Sequence, residues 1–254
     1  MAETIWTGPA VAVVTLFDDG GALLARETAE HAARVIGAGI RAVVVAGSTG
    51  EAAALADDER VELVAAVRAA CPDVPVLAGA TGDWWGQAAT RVQGVLKAGA
   101  DAVLVAPPRL GGSLPDYYGR VAEAAGGAPL LAYHYPGVAG GEVPVSALTS
   151  LPLAGIKDSS GNAARLAEEI DLDWTGAVYT GASALTGYAS WLGATGAILA
   201  VANLEPEQAL AAWAGDAAAQ RALARAERAY KARPGGLKAA LAERYGTSPA
   251  RRFG

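Results

Sequence analysis

The feature that most constrains this chain is a regular alternation of short apolar runs with alanine-rich stretches of helical spacing. The apolar runs predict eight strands, at 10–17, 41–47, 74–80, 101–108, 129–136, 153–159, 177–182 and 195–203. The stretches between them predict helices near 26–38, 57–70, 85–98, 115–125, 144–149, 162–170 and 184–193. Strands that are apolar almost throughout are typical of parallel sheets buried on both faces.

The number of strand–helix units indicates the fold class. Eight such units in roughly 200–250 residues are typical of a TIM barrel. An open doubly wound sheet is the alternative, but no G-x-G-x-x-G segment follows the first strand. We therefore predict an α/β protein with a (β/α)8 barrel over 1–204. Residues 205–254 are predicted to form a C-terminal helical segment packed on that barrel, with breaks near Gly215 and 234–236.

Composition excludes several classes of partner. The net charge of -6 and the scattered Lys and Arg residues argue against a nucleic-acid partner. No apolar run reaches the roughly 18 residues of a membrane span, and the first residues lack the basic stretch of a signal peptide. A lone cysteine, Cys71, and two histidines offer no metal-binding set. We expect a cytoplasmic protein with no membrane association and no metal site.

Candidate functional residues lie where the predicted strands end, because active sites of TIM barrels form at the carboxyl ends of the strands. These positions are Thr15, 48–51, Thr81, 107–109, 133–135, 157–158 and Thr180.

Lys157 ends an apolar run in the segment AGIKDSSGN, 154–162. Burial disfavours the charged form of an amine, and a neutral amine attacks carbonyl groups to form a Schiff base. The alternative is a structural lysine paired with Asp158. Because neighbouring residues of a strand face opposite sides, we expect Lys157 and Asp158 to point in opposite directions.

Tyr133 and Tyr135 lie on one face of the preceding predicted strand, and His134 lies on the other, toward the helices. A phenol beside a reactive amine can transfer protons in carbinolamine and imine steps. The alternative is an ordinary core aromatic.

The segment 47–51, GSTGE, follows the second predicted strand. Its glycines allow a tight turn, while Ser48, Thr49 and the backbone N–H groups could bind a carboxylate or phosphate. Its spacing differs from a P-loop, and it lacks the P-loop lysine. The alternative is a plain polar loop. With the lysine and the tyrosine, this loop suits a 2-oxo acid whose carboxylate it holds and whose ketone condenses with the amine.

The segments GSTGE at 47–51, YHYPG at 133–137 and GIKDSSG at 155–161 together resemble the dihydrodipicolinate synthase/N-acetylneuraminate lyase family. The likeness runs from about 7 to 246, and 193–206 also resembles the family's strand-8 region. Members of this family are pyruvate-dependent class I aldolases and lyases.

The resemblance implies a role for each matched residue. Lys157 corresponds to the Schiff-base lysine and Tyr133 to the proton-relay tyrosine. Gly47, Ser48 and Thr49 correspond to the loop that binds the pyruvyl carboxylate, and Ile198 is a further candidate substrate contact. The resemblance also implies a (β/α)8 barrel, a homodimer or homotetramer, and catalysis without a metal or organic cofactor.

Two departures from the family pattern bear on the substrate. Val138 stands where dihydrodipicolinate synthases carry an arginine, and 106–113 lacks their tyrosine pair. The pattern favours members that act on 2-keto-3-deoxy sugar acids or 4-hydroxy-2-oxoglutarate, with Arg109 as a candidate ligand for a substrate anion. A 4-hydroxy-tetrahydrodipicolinate synthase and a catalytically silent 2-oxo acid binding protein remain alternatives.

Overall fold

A closed barrel of eight parallel strands forms the centre of the protein in a computed structural model that describes residues 4–253. The strands are β1 Gly8–Ala12, β2 Val43–Val45, β3 Val76–Gly79, β4 Ala102–Val105, β5 Leu130–His134, β6 Gly155–Asp158, β7 Ala177–Thr180 and β8 Gly196–Leu199. Each strand pairs with the next in parallel, and β8 pairs with β1 to close the barrel. The predicted (β/α)8 architecture is confirmed.

The helices follow the strands around the outside. They are α1 Ala25–Gly37, α2 Asp57–Ala70, α3 Trp85–Lys97, α4 Leu114–Ala125, α5 Ala163–Asp171, α6 Thr186–Leu192, α7 Pro206–Trp213, α8 Ala217–Ala232 and α9 Gly236–Tyr245. The predicted breaks at Gly215 and 234–236 separate the last three helices. These three contribute to the same apolar core as the outer face of the barrel. The division of the chain at 204 stays a prediction.

Two details of the sequence prediction were wrong. The segment predicted as a helix at 144–149 is a short 3-10 helix, Val145–Ser150. Pro152 follows it closely, and the residue before a proline is disfavoured in helical conformation. The first and last strands also end earlier than predicted, at Ala12 and Leu199. The chain stays apolar and buried beyond these residues, so the apolar pattern extended the predicted strands too far.

The barrel encloses a small core of its own, separate from the core between strands and helices. Trp6, which precedes β1, stacks on Tyr179 with ring centroids 4.1 Å apart. The Tyr179 hydroxyl donates to the Trp6 carbonyl oxygen over 3.1 Å. This pair fills the amino end of the barrel, so the open space lies at the carboxyl end.

Candidate active site

Lys157 and Tyr133 face the barrel interior from neighbouring strands and are paired in the β5–β6 register. Their exposed fractions are 4% and 5%, and Lys157 Nζ lies 4.4 Å from the centroid of the Tyr133 ring. Asp158 points the other way, where its carboxylate accepts hydrogen bonds from the backbone N–H and hydroxyl of Ser160. Within 4–253, Lys157 forms no ion pair. The amine is therefore buried beside a phenol rather than neutralised by a carboxylate.

The space for the Lys157 side chain depends on Gly181, which follows β7. A Cβ atom at Gly181 would overlap the Ser159 hydroxyl and lie 3.1 Å from Lys157 Cε. A larger residue would therefore force the Ser159 side chain to move and would narrow the space beside the lysine.

The loop after β2 has the irregular backbone of a binding loop. Ala46 and Glu51 both have positive φ, 51° and 53°, which is uncommon for residues with a Cβ atom. Between them, Ser48–Gly50 form a 3-10 turn. The Ser48 hydroxyl lies 3.4 Å from the Tyr133 hydroxyl. This contact joins the predicted carboxylate-binding loop to the tyrosine beside Lys157.

Glu51 holds the C-terminal segment against this loop. Its carboxylate accepts hydrogen bonds from Lys238 Nζ and from the backbone N–H groups of Arg252 and Phe253. Burial acts to raise the pKa of the Glu51 carboxyl, but these hydrogen bonds, with Lys238 first, outweigh it and hold the pKa below its usual range. Burial in turn lowers the pKa of Lys238 despite Glu51. The sequence motif located Glu51, but only the fold revealed its partners.

A cavity of about 730 Å³ opens above Lys157. Ser48, Thr49, Tyr133, Lys157 and Ile198 all line it, so the structure brings together most of the residues predicted for the site. Sequence reasoning missed the lining side chains of the C-terminal segment, which are Glu227, Tyr230, Lys231, Arg233, Leu237, Lys238, Arg251 and Phe253. No catalytic motif marks them, and helical spacing was a signal only for the three that lie in α8.

A second cavity of about 420 Å³ adjoins the first, and Ser48 and Tyr133 line both. Gly47 and Arg109 line this second cavity. Arg109 is exposed, and its guanidinium donates to the carbonyl oxygen of Val138. Arg60 lies buried in the wall and donates to the carbonyl oxygens of Gly79 and Ala52, each over 2.8 Å. Burial, with nearby Arg91, lowers the pKa of Arg60 to about 10.

Three other side chains at the strand ends bind the backbone, whereas the buried Thr15 hydroxyl has no hydrogen-bond partner among the described residues. The Thr81 and Thr180 hydroxyls accept from the N–H groups of Ala106 and Ala182. His134 Nδ1 accepts from the N–H of Val143 over 3.1 Å on the outside of the barrel. These side chains do not reach the cavity above Lys157.

In the part of the chain that the structure describes, no group of three or more His, Cys, Asp or Glu side chains is arranged to hold a metal ion. Over the same residues, no helix combines the length and apolar character needed to cross a bilayer.

The fold and this site define an aldolase-type (β/α)8 barrel, and comparison with known proteins supports that class. Residues 6–242 match the family model of the dihydrodipicolinate synthetase family. The chain is 33% identical over 221 residues to the 4-hydroxy-tetrahydrodipicolinate synthase of Natronomonas pharaonis, covering 83% of this chain and 75% of that protein. It is 32% identical over 248 residues to an uncharacterized DapA-like lyase of Halobacterium salinarum, covering 90% and 81%.

Solved structures show the same architecture. A dihydrodipicolinate synthase from Bacillus anthracis superposes with a TM-score of 0.89 at 25% identity, covering 100% of this chain and 92% of that one. YagE, a prophage protein of the dihydrodipicolinic acid synthase family from E. coli solved with pyruvate, gives 0.87 at 24% identity, covering 97% and 91%. The chain belongs to the dihydrodipicolinate synthetase family, whose members are carbon–carbon lyases of the aldolase type. The resemblance inferred from the sequence motifs is thereby confirmed.

Proposed function

We propose that this lyase is a pyruvate-type class I aldolase that forms a Schiff base at Lys157. The observation that carries the proposal is the buried Lys157 amine, 4.4 Å from the Tyr133 ring, in a cavity that Ser48 and Thr49 also line. A buried amine with no carboxylate partner is suited to act as a nucleophile toward a ketone. The loop after β2 would hold the substrate carboxylate and so align the ketone with the amine.

The proposed reaction starts when the Lys157 amine attacks the ketone carbon of the 2-oxo acid. The carbinolamine then loses water to give the imine, and Tyr133 transfers the protons between nitrogen and oxygen. In the cleavage direction, the 4-hydroxyl loses its proton, the bond between the third and fourth carbons breaks, and its electron pair moves into the imine to leave an enamine. The aldehyde departs, and protonation followed by hydrolysis frees pyruvate and the amine. In the synthetic direction the same steps run backward.

The substrate that we favour is a 2-keto-3-deoxy sugar acid or 4-hydroxy-2-oxoglutarate. Val138 offers no cation where dihydrodipicolinate synthases carry an arginine. The guanidinium of Arg109 contacts the backbone of Val138, so it could meet a substrate anion there. If Arg109→Ala leaves the KM of every accepted substrate unchanged, this role of Arg109 is wrong.

The second candidate function is a 4-hydroxy-tetrahydrodipicolinate synthase. The name of the Natronomonas pharaonis relative favours it. Product analysis with pyruvate and aspartate semialdehyde separates the two candidates, since only the synthase would release the cyclic product. A catalytically silent 2-oxo acid binding protein is a third candidate, and it would bind pyruvate without turning over any aldehyde.

The decisive experiment is reductive trapping. The protein is incubated with pyruvate, reduced with borohydride and digested, and the peptide masses are measured. We expect a reduced pyruvyl adduct on the Lys157 peptide that is absent in Lys157→Ala and present in Lys97→Ala, a control for an exposed lysine on α3. No adduct with pyruvate or with a panel of 2-oxo acids would reject the proposal.

We further propose that the protein is a cytoplasmic homodimer or homotetramer with a small 2-oxo acid as its partner. Three large apolar side chains on the surface, Trp84, Leu110 and Trp191, are 57%, 99% and 79% exposed and offer contact area for a second copy. One solved relative is described as a monomeric dihydrodipicolinate synthase variant. Sedimentation equilibrium would therefore test the assembly directly, and a monomer at micromolar concentration would contradict it.

A further inference from the structure

Helix α8 presents polar side chains to the larger cavity that the proposed chemistry does not use. Glu227, Tyr230 and Lys231 line that cavity together with Lys157. Glu227 lies three residues before Tyr230 and four before Lys231, so it neighbours both on the surface of the helix. Farther up the same helix, Gln220 Nε2 donates to the Ser183 carbonyl over 2.9 Å, and the N–H of Gly187 donates to Gln220 Oε1 over 2.7 Å. These bonds fix α8 to the loop after β7.

Tyr230 is 7% exposed and lines the cavity, and its hydroxyl forms no hydrogen bond within the described part of the chain. That hydroxyl is not fully buried, so it is open to the cavity. Burial, followed by the nearby Glu227 and Tyr135, raises the pKa of Tyr230 well above its usual value. The phenol is therefore a neutral group that can both donate to and accept from a ligand in the cavity.

Glu227 brings a carboxylate to the same wall. It accepts a hydrogen bond from the Ser183 hydroxyl, and its Oε1 lies 2.7 Å from Lys231 Nζ. An ionised carboxylate is an acceptor only, with room for several hydrogen bonds. It therefore suits a hydroxyl group as a neighbour, while Lys231 already balances its charge.

The loop after β7, which contacts α8 through Ser183, lines the same cavity with the small residues Gly181, Ala182 and Ala184. These residues occupy little space, and Ser159 adds a hydroxyl. At about 730 Å³, the cavity is large enough for a chain of several carbon atoms beyond the pyruvyl group.

We propose that α8 forms the distal part of the substrate site, in which Tyr230 and Glu227 bind hydroxyl groups on the carbon atoms beyond the bond that is cleaved. This inference rests on the proposed function and selects among its substrates. It favours substrates that carry hydroxyl groups beyond the cleaved bond, such as 2-keto-3-deoxy sugar acids. Tyr230 and Glu227 are then specificity-determining residues.

The test compares kcat/KM for three substrates that share the reacting end. These are 2-keto-3-deoxygluconate, which ends in a hydroxylated chain, 4-hydroxy-2-oxovalerate, which ends in a methyl group, and 4-hydroxy-2-oxoglutarate, which ends in a carboxylate. We expect the wild type to prefer the hydroxylated acid. Tyr230→Phe and Glu227→Gln should each lower that preference over the methyl-ended acid about fivefold or more, mainly through KM. Tyr188→Phe, on α6 outside both cavities, should leave the preference unchanged.

Different outcomes separate this inference from the proposed function. Pyruvate trapping at Lys157 without cleavage of the hydroxylated acid would overturn the inference alone. Equal losses on all three substrates in folded variants, or a wild-type preference for the dicarboxylate, would also overturn it. Failure of pyruvate trapping would overturn the proposed function and this inference with it. Thermal unfolding of each variant shows whether a loss reflects misfolding.

Discussion

The Tyr133 hydroxyl lies 3.4 Å from the Ser48 hydroxyl, although 85 residues separate them in the chain. The contact joins β5 to the loop after β2 across the mouth of the barrel. It gives the proposed proton-transfer group a neighbour that can exchange a proton with it, and it places the predicted carboxylate-binding loop beside Lys157.

Tyr133→Phe should remove proton transfer while keeping the ring beside the amine. We expect kcat to fall by roughly 100-fold to 10,000-fold, the usual contribution of general acid–base catalysis. Pyruvate trapping by borohydride should become slower but still occur at Lys157. Rapid-quench kinetics of trapping would measure this, with Tyr118→Phe as the control because its hydroxyl bonds to Val105 outside both cavities. An unchanged kcat would show that Tyr133 packs against the lysine without transferring protons.

Gly181→Ala should crowd the Lys157 side chain, because the added Cβ atom would overlap the Ser159 hydroxyl and lie 3.1 Å from Lys157 Cε. We expect the yield of trapped pyruvate to fall at least tenfold, with the circular dichroism spectrum preserved. Gly119→Ala on α4 is the matched control, since no atom lies within 4 Å of its Cβ position. Full trapping in Gly181→Ala would mean that the lysine has more freedom than the packing indicates.

Glu51→Gln should destabilise the protein by leaving the Lys238 ammonium buried without a charged partner. Breaking such a pair from one side typically costs about 3–5 kcal/mol in the free energy of unfolding. Urea denaturation at pH 7 would measure the change. Glu243→Gln is the control, because its ion pair with Arg233 is exposed and should contribute about 0–1 kcal/mol. Equal effects of the two substitutions would contradict the anchoring role of Glu51.

The same carboxylate predicts an acid-sensitive anchor for the C-terminal segment. The folded-state pKa of Glu51 lies below its usual value, so its stabilising contribution is fully present above the unfolded pKa and is lost as the pH falls through the folded pKa. Below about pH 4, near the ordinary pKa of a glutamate, the contribution of Glu51 should decline. Hydrogen exchange of Arg252 and Phe253 at several pH values should show faster exchange, relative to the intrinsic rate, at the acidic end.

Glu169 predicts the opposite pH dependence on the outer side of the barrel. Its side chain is fully buried on α5, and Arg165 Nη2 lies 2.8 Å from Oε1 without hydrogen-bond geometry. Burial, followed by the nearby Asp158 carboxylate, raises the pKa of Glu169 to about 7. The folded state therefore retains a proton that the unfolded chain releases, and stability should fall as the pH rises from about 4.5 to 7.

Glu169→Gln should flatten that slope, because the amide does not ionise. Urea unfolding of the wild type and the variant at pH 5, 6, 7 and 8 would measure it. Parallel pH profiles for the two proteins would contradict the assignment to Glu169.

Much of the fold could be predicted because it rests on local patterns. The apolar runs identified all eight strands, and alternation along β6 correctly directed Lys157 and Asp158 to opposite faces. The error at 145–150 arose where the apolar pattern resembled a helix but the chain forms only a short 3-10 turn before Pro152.

Pairing over long distances could not be predicted in this way. Glu51 and Lys238 are 187 residues apart, and no sequence pattern near either residue indicates that the two form a pair. Arg109 was a candidate ligand by position, yet only the fold shows that it lies in the second cavity against Val138.

The sequence by itself determined the barrel, the direction of its strands and the identity of the residues that end them, because backbone periodicity and burial are set locally. The tertiary structure decided what surrounds the Lys157 amine. The depth of the cavity, the space left by Gly181 and the wall formed by Tyr230 depend on how the C-terminal helices pack over the barrel mouth. That packing is a property of the whole chain, since its contacts join segments that lie far apart in sequence.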